Sequence, residues 1–237
     1  MPGLTITIPG PDGDFSGYLA APPSGVGPGL VVIQEIFGVN AVMRDIADGL
    51  AVQGFFALVP DLFWRLQPGI EITDKSDAEW QQAFGYLGRF DVDKGVGDIQ
   101  TAITHLRTLP GVSGPNGKTK VGALGYCLGG QLAYLAATRT DSDASVGYYG
   151  IYIQDRLAEA AAISKPLMLH IAGADEFVPP PAQEKIIAGL STNPLVTLHS
   201  YPGMNHAFAR VGGKHYDKAN ADLANGRTAA FFNQHLG

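Results

Sequence analysis

The sequence predicts a three-layer α/β/α sandwich built around a mostly parallel central sheet. Three observations carry this expectation: short continuous apolar runs sized for strands buried on both faces, helix-period segments alternating with them, and no repeat, low-complexity tract or linker dividing the chain. With 237 residues, 46% hydrophobic and 16% charged, the chain can bury a substantial core and lacks the charge excess of a disordered one. One domain spanning residues 1–237 is expected.

The first two elements differ from the rest. Leu4 to Ile8 and Phe15 to Ala20 alternate on either side of Pro9-Gly10-Pro11-Asp12-Gly13, a cluster of turn-forming residues, and read as an antiparallel hairpin. Leu30 to Ile33 is a continuous apolar run and opens the parallel sheet. Asn40 is a helix cap, Met43, Ile46, Ala47 and Leu50 follow at helical spacing before Gly54, and Phe55 to Val59 is the next strand. Residues 61–80 are irregular, mostly polar and too long for an ordinary connection, so a functional loop or a short helix is expected there. Ile99, Ala102, Ile103 and Leu106 mark one face of a further helix. Lys120 to Leu124 is a strand that runs into Gly125-Tyr126-Cys127-Leu128-Gly129, and Leu132, Leu135 and the alanines around them suit a helix lying on the sheet. Strands at Ser145 to Tyr149, Pro166 to Ile171 and Leu195 to Tyr201, with helices near Glu184 to Leu190 and Ala221 to His235, complete the alternation.

Composition excludes several functions. Sixteen basic against 22 acidic residues give a net charge of -6, opposite to what phosphate neutralisation requires, so no nucleic-acid partner is expected. The same charge repels a small anion at long range, which leaves its capture to cations inside a site. A single cysteine cannot form an internal disulfide, the first residues lack the basic-then-apolar pattern of a secretory leader, and no apolar run reaches the ~20 residues of a membrane span. A cytoplasmic protein without a membrane partner is expected, acting as a monomer or else as a homodimer. No Cys-x-x-Cys or His-Glu-x-x-His spacing points to a metal.

In open α/β sheets, chemistry collects just past the carboxyl ends of strands. Cys127 lies there, between flanking glycines in a strand-to-helix turn of the nucleophile-elbow kind. The helix that follows favours negative charge at its start, and thiolate is the reactive form of cysteine. A small buried core residue accounts for Cys127 equally well by itself. What separates the two is the order of two further residues: Asp175 just past one strand and His206 just past another, giving the nucleophile–acid–base order of the α/β-hydrolase fold. His206 titrates near neutrality and can carry a proton, while Asp175 can hold its tautomer. His105, His170, His199, His215 and His235 show no such partners.

The segments Gln34-Glu35-Ile36-Phe37-Gly38-Val39-Asn40, Gly95-Val96-Gly97-Asp98, Gly125-Tyr126-Cys127-Leu128-Gly129-Gly130, Gly147-Tyr148-Tyr149-Gly150, Ala174-Asp175-Glu176-Phe177-Val178-Pro179 and Gly203 to Arg210 together resemble the dienelactone hydrolase family. The resemblance covers nearly the whole chain. It implies an α/β-hydrolase fold, a Cys127–His206–Asp175 triad, and cofactor-free hydrolysis of a lactone or ester, typically dienelactone to maleylacetate, through a thioester. It also implies that Glu35 holds or receives the thiol proton at rest. Hydrolase geometry assigns the oxyanion hole to the backbone N–H groups of Ile36 and Leu128. Arg210 matches one of two family arginines that bind a substrate carboxylate. At the other position stands Trp80, whose indole offers one donor and no charge and cannot reproduce the family's carboxylate clamp, so a different acyl group is expected. The rivals are a hydrolase of other lactones or small esters and, from a different class, a noncatalytic binding protein on the same scaffold.

Overall fold

The computed structural model describes residues 2–113 and 117–237. Its strands are β1 (Leu4–Ile8), β2 (Phe15–Ala20), β3 (Gly29–Ile33), β4 (Phe56–Pro60), β5 (Val121–Tyr126), β6 (Ser145–Tyr148), β7 (Leu167–Ala172) and β8 (Val196–Tyr201). They form one sheet in the order β1-β2-β4-β3-β5-β6-β7-β8. The opening hairpin is antiparallel, β2 runs antiparallel to β4, and every pairing from β4 through β8 is parallel. The helices are α1 (Ala41–Val52), α2 (Asp77–Leu87), α3 (Val92–Thr108), α4 (Leu128–Arg139), α5 (Pro180–Leu190) and α6 (Lys218–His235).

The three layers follow from the two-residue period of a strand. On β6, Gly147 lies against the backbone of Gly130 in α4, while its neighbour Tyr148 reaches the other way, with its hydroxyl on Thr228 (2.6 Å) and Asn225 (3.1 Å) of α6. Helices therefore cover both faces, and β3, β5, β6 and β7 are buried along their whole length.

Two elements differ from expectation. β5 continues two residues beyond Leu124, so Cys127 follows the last strand residue without any loop. The irregular stretch before Trp80 gives way to α2, whose start is capped by Ser76 accepting from the Glu79 amide (3.3 Å). Only Ala83 and Tyr86 of α2 are buried, too few to print a helical period.

The loop before α2 is held by buried polar groups. The Asp61 carboxylate accepts from the amides of Phe63 (3.0 Å) and Gly69 (2.8 Å), and Asn40 donates to the carbonyl of Ile72 (2.9 Å). Asp98 of the Gly95–Asp98 motif accepts from the indole of Trp64 (3.0 Å) and pairs with Arg65. The motif thus anchors this loop to α3.

Candidate active site

β3 is the point at which the sheet reverses its order: the chain leaves it for β4 on one side and later returns to β5 on the other. The crevice outside such a switch point is where α/β sheets bind ligands. Glu35 and Ile36 follow β3, Cys127 follows β5, Asp175 follows β7 and His206 follows β8. One cleft is lined by Glu35, Ile36, Cys127, His206, Arg210 and Trp80, together with Phe37, Phe84, Leu87, Ile151, Tyr152 and Phe177. Asp175 sits behind His206 and Leu128 beside Cys127.

Cys127 has φ 58° and ψ -115°, a conformation that a non-glycine residue adopts only when its surroundings impose it. The neighbouring glycines explain how. A β-carbon on Gly125 would lie 1.9 Å from the carbonyl oxygen of Gly129, and one on Gly129 would lie 2.3 Å from that of Ile33. β5, β3 and the start of α4 can approach this closely only without side chains at those positions, and the tight turn lifts the thiol to the cleft floor.

Nδ1 of His206 lies 3.0 and 2.9 Å from the two oxygens of Asp175, which sets the tautomer with the proton on Nδ1. Asp175 is itself fixed, accepting from the amides of Phe177 (2.8 Å) and Val178 (3.3 Å). Asn205 ties the two loops, its side-chain oxygen accepting from the amides of His206 (2.7 Å) and Glu176 (3.1 Å). Nε2 is buried with no partner of hydrogen-bond geometry, in the cleft that Cys127 also lines. Burial by itself lowers the imidazolium pKa, but the Cys127 and Asp175 charges on either side outweigh it, and His206 is pushed up to about 10.

Glu35 is buried, with Oε2 accepting from Nη1 of Arg210 at 2.9 Å and Oε1 without a partner. No hydrogen bond joins Glu35 to Cys127 among the described residues; the guanidinium takes that place. Arg210 also donates from Nη2 to Asp74 (2.8 Å) and lies over the ring of Phe37 at 5.1 Å. Trp80 donates from its indole to the carbonyl oxygen of Asp74 (3.2 Å) and packs on Phe37, Phe84 and Phe177. The Ile36 and Leu128 amides make no hydrogen bond among the described residues, as an oxyanion hole requires.

Sequence reasoning missed Asp74, Phe84, Phe177 and Asn205. Asp74 belonged to a stretch read as functional, yet its pairing with Arg210 spans 136 residues and leaves no local signal. Asn205 and Phe177 lay inside segments already singled out, beside the triad residues that drew the attention. No group of three or more His, Cys, Asp or Glu side chains is placed to hold a metal among the described residues.

Residues 15–236 match the dienelactone hydrolase family. A protein of Azospirillum brasilense provisionally named a carboxymethylenebutenolidase is 51% identical, the match covering 98% of this chain and 99% of the relative. A carboxymethylenebutenolidase of Pseudomonas putida is 38% identical over 95% of this chain and 94% of its own. In structure, a provisionally named dienelactone hydrolase of Klebsiella pneumoniae superposes with a TM-score of 0.85 at 22% identity, covering 99% of this chain and 100% of that one, which speaks for the fold. With its parallel sheet, its elbow and relatives that match it nearly end to end, this chain belongs to the dienelactone hydrolase family of α/β-hydrolases.

Proposed function

We propose that the protein hydrolyses a lactone or carboxylic ester, with Cys127 as nucleophile, His206 as proton carrier, Asp175 as the group that orients and charges His206, and a thioester as intermediate. The observation that supports this reading best is a strained elbow thiol lining one cleft with an imidazole that has one nitrogen held by a buried carboxylate and the other without a partner.

The steps follow from the geometry. The thiolate forms a C–S bond to the carbonyl carbon, and the developing oxyanion takes hydrogen bonds from the Ile36 and Leu128 amides. Collapse breaks the C–O bond while the imidazolium of His206 gives its proton to the departing oxygen, which in a lactone stays attached to the acyl group. Water then loses a proton to His206 and attacks the thioester; the C–S bond breaks, the acid leaves and the thiolate–imidazolium pair is restored. At rest Glu35, with one oxygen on Arg210 and one without a partner, is the carboxylate that can accept a hydrogen bond from the neutral, inert thiol; when its proton passes to Glu35 the sulfur becomes the reactive thiolate. No step needs a cofactor or a second subunit, and we take the protein to act as a monomer in the cytoplasm.

The relatives' name makes dienelactone, opened to maleylacetate, one substrate to test. Trp80 in the place of an arginine favours a second acyl class, lactones or esters without a carboxylate. Replacing Cys127 with Ala is expected to lower kcat/KM for small aryl esters about 10³-fold or more. Undiminished hydrolysis by that variant would remove Cys127 from the reaction.

A further inference from the structure

Arg210 is the only Lys or Arg side chain among the residues that line the cleft, and each of its terminal nitrogens already donates to a carboxylate. Nη1 is on Glu35 and Nη2 on Asp74, and Nε is buried away from the cleft surface. One guanidinium therefore faces two carboxylates, one on each of its terminal nitrogens. Lys75 pairs with Asp74 at 3.8 Å and donates to the carbonyl oxygen of Gly212 (3.1 Å), but its side chain is largely in solvent, where its charge is screened. Lys214 and His215 stand farther out, at the rim that Asp74 and Arg210 share, and His215 is 3.7 Å from Glu176. A carboxylate entering the cleft would meet Asp74 where it needs an open guanidinium edge, and would have to displace it.

The wall beside this charged cluster is apolar. Trp80 lies 5.5 Å from Phe84 and 6.4 Å from Phe177, ring centre to ring centre, and the latter two remain 43% and 37% exposed. Large aromatic side chains left open to solvent at a cleft mouth are surface that gains by being covered. The indole N–H, the polar atom nearest this wall, is already spent on the Asp74 carbonyl oxygen.

We infer that Asp74 closes the arginine to anions and that the site takes uncharged lactones or esters, whose apolar group lies on the Trp80–Phe84–Phe177 wall. This rests on the ester-hydrolase reading above and narrows it. Asp74 acts as a specificity-determining residue through Arg210, and the anionic dienelactone becomes a poor match to the cleft.

The test compares p-nitrophenyl butyrate with p-nitrophenyl hemisuccinate, which share leaving group and chain length and differ by a methyl against a carboxylate. The native protein is expected to prefer the butyrate about 100-fold in kcat/KM, as a like-charge contact in a site dictates. Asp74→Asn should shrink that preference about tenfold by raising the hemisuccinate rate, since it frees one edge of the guanidinium. Trp80→Ala should lower the rate on p-nitrophenyl 3-phenylpropanoate more than on either short ester. Equal or better use of the hemisuccinate by the native protein would overturn the inference without needing any variant, as would an unchanged preference in a folded Asp74→Asn protein. If Cys127-dependent turnover favours the anion, only this inference fails. If neither ester is turned over, or if turnover survives Cys127→Ala, the hydrolase reading itself falls and takes the inference with it.

Discussion

Four residues other than glycine have positive φ among the described residues: Cys127, Tyr149, Tyr152 and Ala207. Cys127 and Tyr152 line the cleft, Tyr149 packs on the His206 ring at 5.0 Å, and Ala207 follows His206. Backbone strain is thus concentrated where side chains must be aimed, at a cost of order 1–3 kcal/mol each that the buried sheet beneath them outweighs. His206 carries the clearest residue-scale prediction. Its pKa is raised from the ordinary 6.5 to about 10, so the folded protein holds the proton more tightly than the unfolded chain does. The stability this contributes is full below pH 6.5 and is lost as pH rises toward 10. The melting temperature of the native protein relative to a His206→Gln variant should therefore decline across that window, and kcat/KM should hold to about pH 9 and fall beyond it. Asp175→Asn, which removes one of the charges raising this pKa, should move the fall to lower pH and reduce kcat/KM about 10³-fold or more. A profile with the same upper limb in the variant would contradict the assigned role of Asp175.

The elbow is the element on which the site depends. Because a β-carbon at position 129 would meet the backbone of Ile33 at 2.3 Å, Gly129→Ala must push α4 away from β3. We expect a loss of more than about 3 kcal/mol in urea unfolding, or no folded protein at all, whereas an alanine at Gly97, inside α3 with open space around it, should stabilise by up to about 1 kcal/mol. The elements differ in how plainly they could be read beforehand. β3, β6 and β7 were legible to within a residue because strands buried on both faces must be apolar throughout. β5 was read two residues short because it ends in Gly125 and Tyr126, which look like the start of the turn. α2 gave no period because two buried side chains do not make a stripe. The proposed Cys127–Asp175–His206 set was singled out by its order at strand ends, and the structure places Asp175 on His206 and His206 in one cleft with Cys127. The Arg210–Asp74 pair was not legible, since only the folded sheet brings residues 136 apart in sequence together.

Over the whole molecule, the net charge of -6 acts in the same direction as the carboxylates beside Arg210. Raising the ionic strength screens long-range repulsion, so kcat/KM for an anionic ester should rise with salt while that for a neutral ester stays level. A salt-independent rate for the anion would show that the field does not reach the cleft. No helix among the described residues is long and apolar enough to cross a membrane. The sheet supplies what the chemistry needs at this scale: four strand ends, those of β3, β5, β7 and β8, deliver Glu35, Cys127, Asp175 and His206 to one crevice. The central claim is that an acyl group passes through Cys127. The most direct measurement is mass spectrometry of the intact protein, quenched in acid within the first turnover of p-nitrophenyl butyrate. One added butyryl group is expected on the intact protein and, after acid digestion, on the peptide containing Cys127, and none on Cys127→Ala. Rapid release of nitrophenol with no mass added to that peptide, or an acyl group found on another residue, would contradict it.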